Sequence, residues 1–297
     1  MINLLKRNTL PSHTFALLLI SFLFLQACAQ QPLTNPRSEY HTVFSQALQQ
    51  DMPYGVYTPL DWSAEERLPL VVLLHGGFDS HETFDRFGVG EYLDQQMAAG
   101  RLPRAIVVSP KGDVGFWENW HDGTKDYRDW VVQDVLNDVA KRYPHGACPK
   151  DCHLMGISMG GHGVLSLIDA EPDRFGTATV ISGRIFNKAV DTPTPLINFL
   201  IQSLLPLERI WGPKAEGRAQ AVALYERWLN DPVLADKSLL VAWGDEDNAD
   251  IIAFNEAFRV DLANNNHPHD VIIYDGAHRW VDWKTVIAES LRRQVKP

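Results

Sequence analysis

Gly156-Ile157-Ser158-Met159-Gly160-Gly161-His162-Gly163 is the stretch on which the fold turns. It contains a G-x-S-x-G pattern, and Cys152-His153-Leu154-Met155 before it reads as the end of a short buried strand. From Met159 to about Ala170, Val164, Leu165, Leu167 and Ile168 recur at the spacing of a core-facing helix. A serine wedged between strand and helix sits on a turn so tight that its backbone is strained. Glycines on both sides leave room, because a side chain there would clash. With Gly and Ser each about 7% of residues, the bare pattern would arise by chance in roughly one in ten chains of this length. A serine in a helix-capping turn is the competing reading, so the rest of the chain must decide.

A nucleophilic serine needs a base, an acid that orients the base, and donors for the oxyanion. Leu68-Pro69-Leu70-Val71-Val72-Leu73-Leu74 is a continuous apolar run of strand length, buried on both faces, and it ends in His75-Gly76-Gly77-Phe78. A glycine-rich loop in that place can turn a backbone N–H toward a ligand. The oxyanion donors are expected at Met159 and Gly77, with Phe78 as the alternative to Gly77. His75 lies upstream of the serine and reads as a loop brace.

Ser238-Leu239-Leu240-Val241-Ala242-Trp243 is another buried strand, opening into Gly244-Asp245-Glu246-Asp247. Asp247 is the expected acid, with Asp245 and Asp250 as alternatives; Asp250 also suits the N-cap of the following helix. Asp270-Val271-Ile272-Ile273-Tyr274 leads to Asp275-Gly276-Ala277-His278, just before a last helix over about 281–293. His278 is the expected general base. His267 and His269 form an H-x-H pair without further ligand spacing and read as surface residues, so no metal is expected there. His162, one turn past the serine, reads as a brace of the elbow.

These residues resemble a known family. The segment 156–163 is similar to the nucleophile elbow of the esterase D-like branch of the α/β-hydrolases, which includes S-formylglutathione hydrolases, feruloyl esterase-like enzymes and mycolyltransferase-type antigens. Gly276-Ala277-His278-Arg279-Trp280-Val281-Asp282-Trp283 resembles the family's G-x-H-x-W-x-x-W pattern, and Met52 to Pro59 its second strand. The resemblance runs from about Val43 to Arg293. It implies an α/β-hydrolase fold, a Ser158–His278–Asp247 triad acting on a small-molecule carboxylic ester, and no cofactor. Two regions depart from the family. Ile185 to Asp236 follows no family pattern and is expected to be a helical cap insertion. Gly115-Phe116-Trp117-Glu118-Asn119-Trp120-His121 occupies an aromatic-rich loop with its own sequence, and Trp117 and Trp120, with Phe78, are candidates to line the substrate pocket.

The N-terminus carries Lys6 and Arg7, then an apolar run from Phe15 to Leu25, too short to span a bilayer and fit for a signal-peptide core. Leu25-Gln26-Ala27-Cys28 looks like a bacterial lipobox with Gln26 as its unusual position. Residues 1–27 are therefore expected to be a signal peptide, Cys28 a lipidation site, residues 28–41 a tether and 42–297 the folded domain. Ala29 carries no acidic retention signal, which by the family-type rule favours the outer membrane; a plain signal peptide cut near Ala29 is the alternative. The anchor would be the only membrane contact. Cys148 and Cys152 remain as an even pair in an exported chain, which reads as a disulfide; a zinc site would need His145 and His153 as well.

The net charge of −10 becomes −12 without Lys6 and Arg7, and an acidic chain lacking basic runs argues against nucleic acid as a partner. Buried strands alternate with helical stretches, predicting one α/β domain with a doubly wound, mostly parallel sheet. Expected helices cover about 82–99, 127–143, 159–170, 215–229, 250–264 and 281–293, further strands 104–109 and 177–182, and an antiparallel edge pair lies within 43–57. An acyltransferase or serine peptidase of the same fold, or a non-catalytic binding lipoprotein, stays open at this point.

Overall fold

The computed structural model describes residues 33, 36–185 and 205–295. The expected signal peptide, Cys28, half of the expected tether and residues 186–204 lie outside the described residues. Contacts divide the chain into Met1–Asn35 and Pro36–Pro297, and every element described below belongs to the second unit.

Eight strands form one sheet in the order β1-β2-β4-β3-β5-β6-β7-β8. They are β1 Ser38–Ser45, β2 Gln50–Tyr57, β3 Leu70–Leu74, β4 Ile106–Pro110, β5 Cys152–Ile157, β6 Thr177–Ile181, β7 Ser238–Gly244 and β8 His269–Tyr274. β2 runs antiparallel to β1 and β4, while β4, β3, β5, β6, β7 and β8 are parallel to one another. Every residue of β3, β4, β5 and β6 is buried, as expected for parallel strands covered on both faces.

Each strand feeds both faces with a period of two. Leu70, Val72 and Leu74 of β3 and Leu239, Val241 and Trp243 of β7 enter one apolar layer. Val71, Leu73, Leu240 and Ala242 enter the other. The first layer is closed by α3 Tyr127–Asp129, a π-helical turn Trp130–Val135, α4 Leu136–Arg142, α5 Met159–Ala170, α7 Lys214–Asn230 and α9 Ala249–Asn264. The second is closed by α1 Thr83–Arg86, α2 Val89–Ala98 and α10 Trp280–Gln294. Short helices α6 Leu207–Trp211 and α8 Pro232–Ala235 flank α7. No helix among the described residues is long and apolar enough to cross a membrane.

Four expectations shift. β1 begins at Ser38, so the expected boundary at residue 42 falls inside a strand: Arg37 pairs with Asp94 at 2.6 Å and the Ser38 N–H donates to Asp85 at 2.9 Å, tying the chain down earlier. The helix expected over 82–99 breaks at Gly88, whose φ of 64° ends one helix and starts the next. His267 is buried beside Trp228 rather than at the surface. The insertion is helical where described, but α7 packs on α5 and α9: the Trp228 indole donates to the Leu165 carbonyl at 3.0 Å, and Arg227 pairs with Asp169 at 2.5 Å.

Cys148 and Cys152 are joined as a disulfide. With His145 their donor atoms cluster within 4.8 Å, but a disulfide leaves no thiolate to bind a cation.

Candidate active site

The site forms at the carboxyl ends of β3, β5, β7 and β8, where four loops converge. β5 ends in Ile157, and Ser158 turns the chain with φ 55° and ψ −111° before α5 begins. This is a backbone conformation a serine adopts only under constraint. Two flanking glycines are obligatory for steric reasons: a Cβ on Gly156 would fall on the Gly160 carbonyl, and a Cβ on Gly160 would fall on the Leu74 carbonyl. The turn is pinned by Ser158 N–H donating to Ile181 O at 2.9 Å and by Ser158 O accepting from Gly161 and Arg184 N–H at 3.0 and 3.1 Å.

The structure brings Ser158, His278 and Asp247 together across 120 and 31 residues of sequence. Ser158 Oγ lies 3.0 Å from His278 Nε2, and His278 Nδ1 lies 2.7 Å from Asp247 Oδ1. A carboxylate only accepts, so the proton on His278 sits at Nδ1 and Nε2 offers its lone pair to the serine hydroxyl. The Asp247 side chain is fully buried while that of His278 is 23% exposed, so the imidazole reaches the cleft and the carboxylate does not. Asp247 Oδ1 also accepts from Asn248 N–H at 2.7 Å. The two alternative acids have other partners. Asp245 accepts from Gly276 N–H at 3.2 Å, and Asp250 accepts from Ile251 N–H at 3.1 Å and faces Arg184 at 3.7 Å.

His278 is held from behind by Trp283, whose ring stands edge-on at 4.7 Å. The Trp283 indole N–H reaches Ser182 Oγ and Tyr274 OH at 3.1 and 3.0 Å, and those two hydroxyls are 2.7 Å apart. Burial pushes the Tyr274 phenol up to about 12, so it stays neutral.

The loop after β3 brings Gly76 and Gly77 to the same cleft, and Met159 opens α5, where the first N–H groups of a helix lack intrahelical partners. His75 braces this loop. Gly112 N–H donates to His75 Nε2 at 2.9 Å, so the ring proton is on Nδ1, 2.7 Å from the Gly76 carbonyl. Burial drives its pKa down to about 4. His162 Nε2 lies 2.8 Å from Glu118 Oε1. Burial acts to raise the Glu118 pKa, but hydrogen bonds from His162 and Ser166 hold it below the usual carboxylate value.

The expected pocket aromatics lie elsewhere. Trp117 has no exposed surface: its indole fills the space that a Cβ on Gly112 or Gly163 would take, and its N–H donates to the His75 carbonyl at 3.3 Å. Trp120 lies under the Arg209 guanidinium at 4.8 Å and beside Tyr127 at 5.9 Å. Phe78, on the cleft loop itself, is 63% exposed with φ 66° and is not among the residues that wall the cleft. The cleft, about 370 Å³, is instead walled by Asp79, Phe87, Arg279, Trp280 and Trp283 around Ser158 and His278. Phe87 and Trp280 stack at 5.6 Å with planes 8° apart. Asp79 and Phe87 carry no sequence signal; Trp280 and Trp283 belong to the G-x-H-x-W-x-x-W ending, which hints at proximity to the base but not at which surface they present. No described residue of the insertion walls this cleft.

Several known proteins are similar to this chain. The MPT51/MPB51 antigen of Mycobacterium bovis is 24% identical over 180 residues, covering 58% of this chain and 58% of the relative. Liver carboxylesterase B-1 of Rattus norvegicus is 26% identical over 149 residues, 46% of this chain and 23% of that one. The chain thus spans less than two thirds of the length of these curated relatives. Among solved structures, a ferulic acid esterase superposes with a TM-score of 0.69 at 21% identity, covering 88% of this chain and 99% of that one. FphF, a fluorophosphonate-binding serine hydrolase of Staphylococcus aureus, superposes with a TM-score of 0.71 at 20% identity, covering 89% and 100%. At such identities the likeness is one of fold. The family described as "Putative esterase" matches residues 45–294, almost the whole folded unit, and the chain belongs to this Esterase family.

Proposed function

We propose that the chain is a serine carboxylic-ester hydrolase that works through an acyl-enzyme. The observation that carries this reading is the continuous Ser158–His278–Asp247 relay at 3.0 and 2.7 Å, opening into a cleft. His278 Nε2 takes the hydroxyl proton as Ser158 Oγ attacks the ester carbonyl. Buried Asp247 keeps the imidazole in its Nδ1–H tautomer and stabilises the imidazolium. The N–H groups of Gly77 and Met159 receive the oxyanion, a contribution of about 3 kcal/mol per donor in related chemistry. His278 returns the proton to the departing alcohol, and water repeats the cycle on the acyl group. Family membership and the cleft support ester chemistry on a small molecule, and nothing in the relay requires a cofactor.

The test is hydrolysis of a p-nitrophenyl ester series, acetyl to long-chain plus an aromatic acyl group, by the domain from Ala29 onward. Turnover should be lost in Ser158→Ala while the fold persists. A Ser158→Ala protein that keeps wild-type turnover overturns the reading.

The proposal extends to location: a signal peptide over 1–27, lipidation at Cys28 and an outer-membrane anchor in the cell envelope. The lipobox-like Leu25-Gln26-Ala27-Cys28 and the Cys148–Cys152 disulfide, which favours an oxidising compartment, support it. In a bacterial host the full-length chain should sediment with membranes and Cys28→Ser should not. Identical fractionation of the two would remove the anchor.

A further inference from the structure

The cleft contains a charged group that the acyl-transfer steps do not use. Asp79 lies in the loop after β3, with its carboxylate in the cleft wall beside Ser158, His278 and Trp280. A Cβ on Gly76 would stand 3.1 Å from Asp79 Oδ2 and 3.4 Å from Ser158 Cβ, so one small substituent bridges the carboxylate and the nucleophile's own side chain. Its position is built rather than loose. The Trp280 indole N–H donates to Oδ2 at 3.1 Å, and Asp79 N–H closes a turn onto the Gly76 carbonyl at 3.3 Å.

Its charge is left under-compensated. No Lys or Arg among the described residues forms an ion pair with Asp79. Arg279, which also lines the cleft, is held by Asp282 at 2.9 Å. Burial raises the Asp79 pKa, while the Trp280 N–H, a backbone hydrogen bond from Gly76 and His278 act the other way. A lone carboxylate at the wall is a poor neighbour for a developing oxyanion and for any anionic substrate group. It is a good neighbour for a group that donates a hydrogen bond or carries positive charge.

We propose that Asp79 is a specificity-determining residue: it attracts a positively charged group or a hydroxyl donor on the ester close to the scissile bond, and it excludes esters that carry a carboxylate there. The inference rests on the serine-esterase reading and narrows its substrate class to neutral polyhydroxy or cationic esters.

Two matched substrate pairs test it. One places charge on the acyl side: the p-nitrophenyl esters of 4-trimethylammoniobutyric acid and of glutaric acid (as the monoester). The other places it on the alcohol side: the butyrate esters of choline and of glycolic acid. The readout is the ratio of kcat/KM for cation over anion, which cancels any loss common to both substrates. Wild-type protein should favour the cation in at least one pair, and Asp79→Asn, which keeps the shape and an acceptor for Trp280, should lower that ratio by about fivefold or more. Should the asparagine variant fail to fold, Asp79→Ser removes the charge without the amide and gives the same readout. A wild-type preference for the anion in both pairs overturns the inference, as does a smaller change in the variant. Serine-dependent hydrolysis with an unaltered ratio removes the role of Asp79 alone, whereas no serine-dependent hydrolysis of any ester removes the esterase reading and this inference with it.

Discussion

Ser158, at φ 55°, shows how neighbours set the geometry of a single residue: the strained turn places Oγ 3.0 Å from His278 and leaves room only for glycine at 156 and 160. At this scale the acid can be tested against its sequence neighbour. Asp247→Asn removes the acceptor-only partner of His278 Nδ1 and allows the wrong tautomer, so kcat should fall by about four orders of magnitude, as in other serine triads. Among the described residues Asp245 accepts from Gly276 N–H, a bond that an asparagine oxygen also accepts, so Asp245→Asn should stay within about tenfold of wild type. Steady-state kinetics on one activated ester decide the matter, and the reverse order of effects would move the acid to Asp245. Ser158, Asp247 and His278 could be singled out in the sequence because each follows a buried apolar run, and chain order limits the choices. Trp117 was not legible in this way. Its aromatic loop pointed to a pocket wall, but Gly112 and Gly163 leave a slot that the indole fills completely. Glycines some 50 residues apart betray such a slot only after folding.

At the scale of elements, the sequence states periodicity well and interruption poorly. The helix over 159–170 is found at the expected residues, and those expected over 215–229, 250–264 and 281–293 differ by one residue at their ends. Their apolar spacing is regular and their flanks are turn-forming, which is what a 3.6-residue period detects. The expected helix over 82–99 carries the same apolar spacing, but Gly88 at positive φ splits it and swings Phe87 over Trp280. That break matters to the site: an unbroken helix would not present Phe87 to the cleft. The π-helical turn Trp130–Val135 inside the expected 127–143 helix has no signal in the sequence. The cleft wall was hidden for a related reason. Asp79, Phe87 and Trp280 come from a loop, a helix corner and a helix start, some two hundred residues apart, and no local period reports their convergence.

For the whole molecule, the buried histidines couple stability to pH. His75 and His153 both have pKa values lowered by burial to about 4, against 6.5 for an unperturbed imidazole. Above pH 6.5 both states are neutral at these sites and neither histidine favours unfolding. As pH falls below 6.5 the unfolded chain takes up protons that the folded chain refuses, so stability declines until the folded values near 4 are reached. At pH 5 this amounts to about 2 kcal/mol for each histidine. His41, His81 and His267, also lowered by burial, add in the same direction. Asp79 opposes them, because its raised pKa means that acid relieves a buried charge. Total stabilities of domains are about 5–15 kcal/mol, so the histidines remove a large part of the margin. Urea unfolding at pH 7.5 and pH 5.0, at equal ionic strength, should show a midpoint markedly lower in acid. His153→Gln should reduce that difference, because the amide can still meet Thr177 Oγ1, which lies 2.9 Å from the imidazole, and takes up no proton. A midpoint that is flat or rises on acidification would show that these imidazoles are already charged in the fold. That outcome would also contradict the tautomer assigned to His75, since a protonated ring could not accept the Gly112 N–H that ties the β4 loop to the floor of the active site.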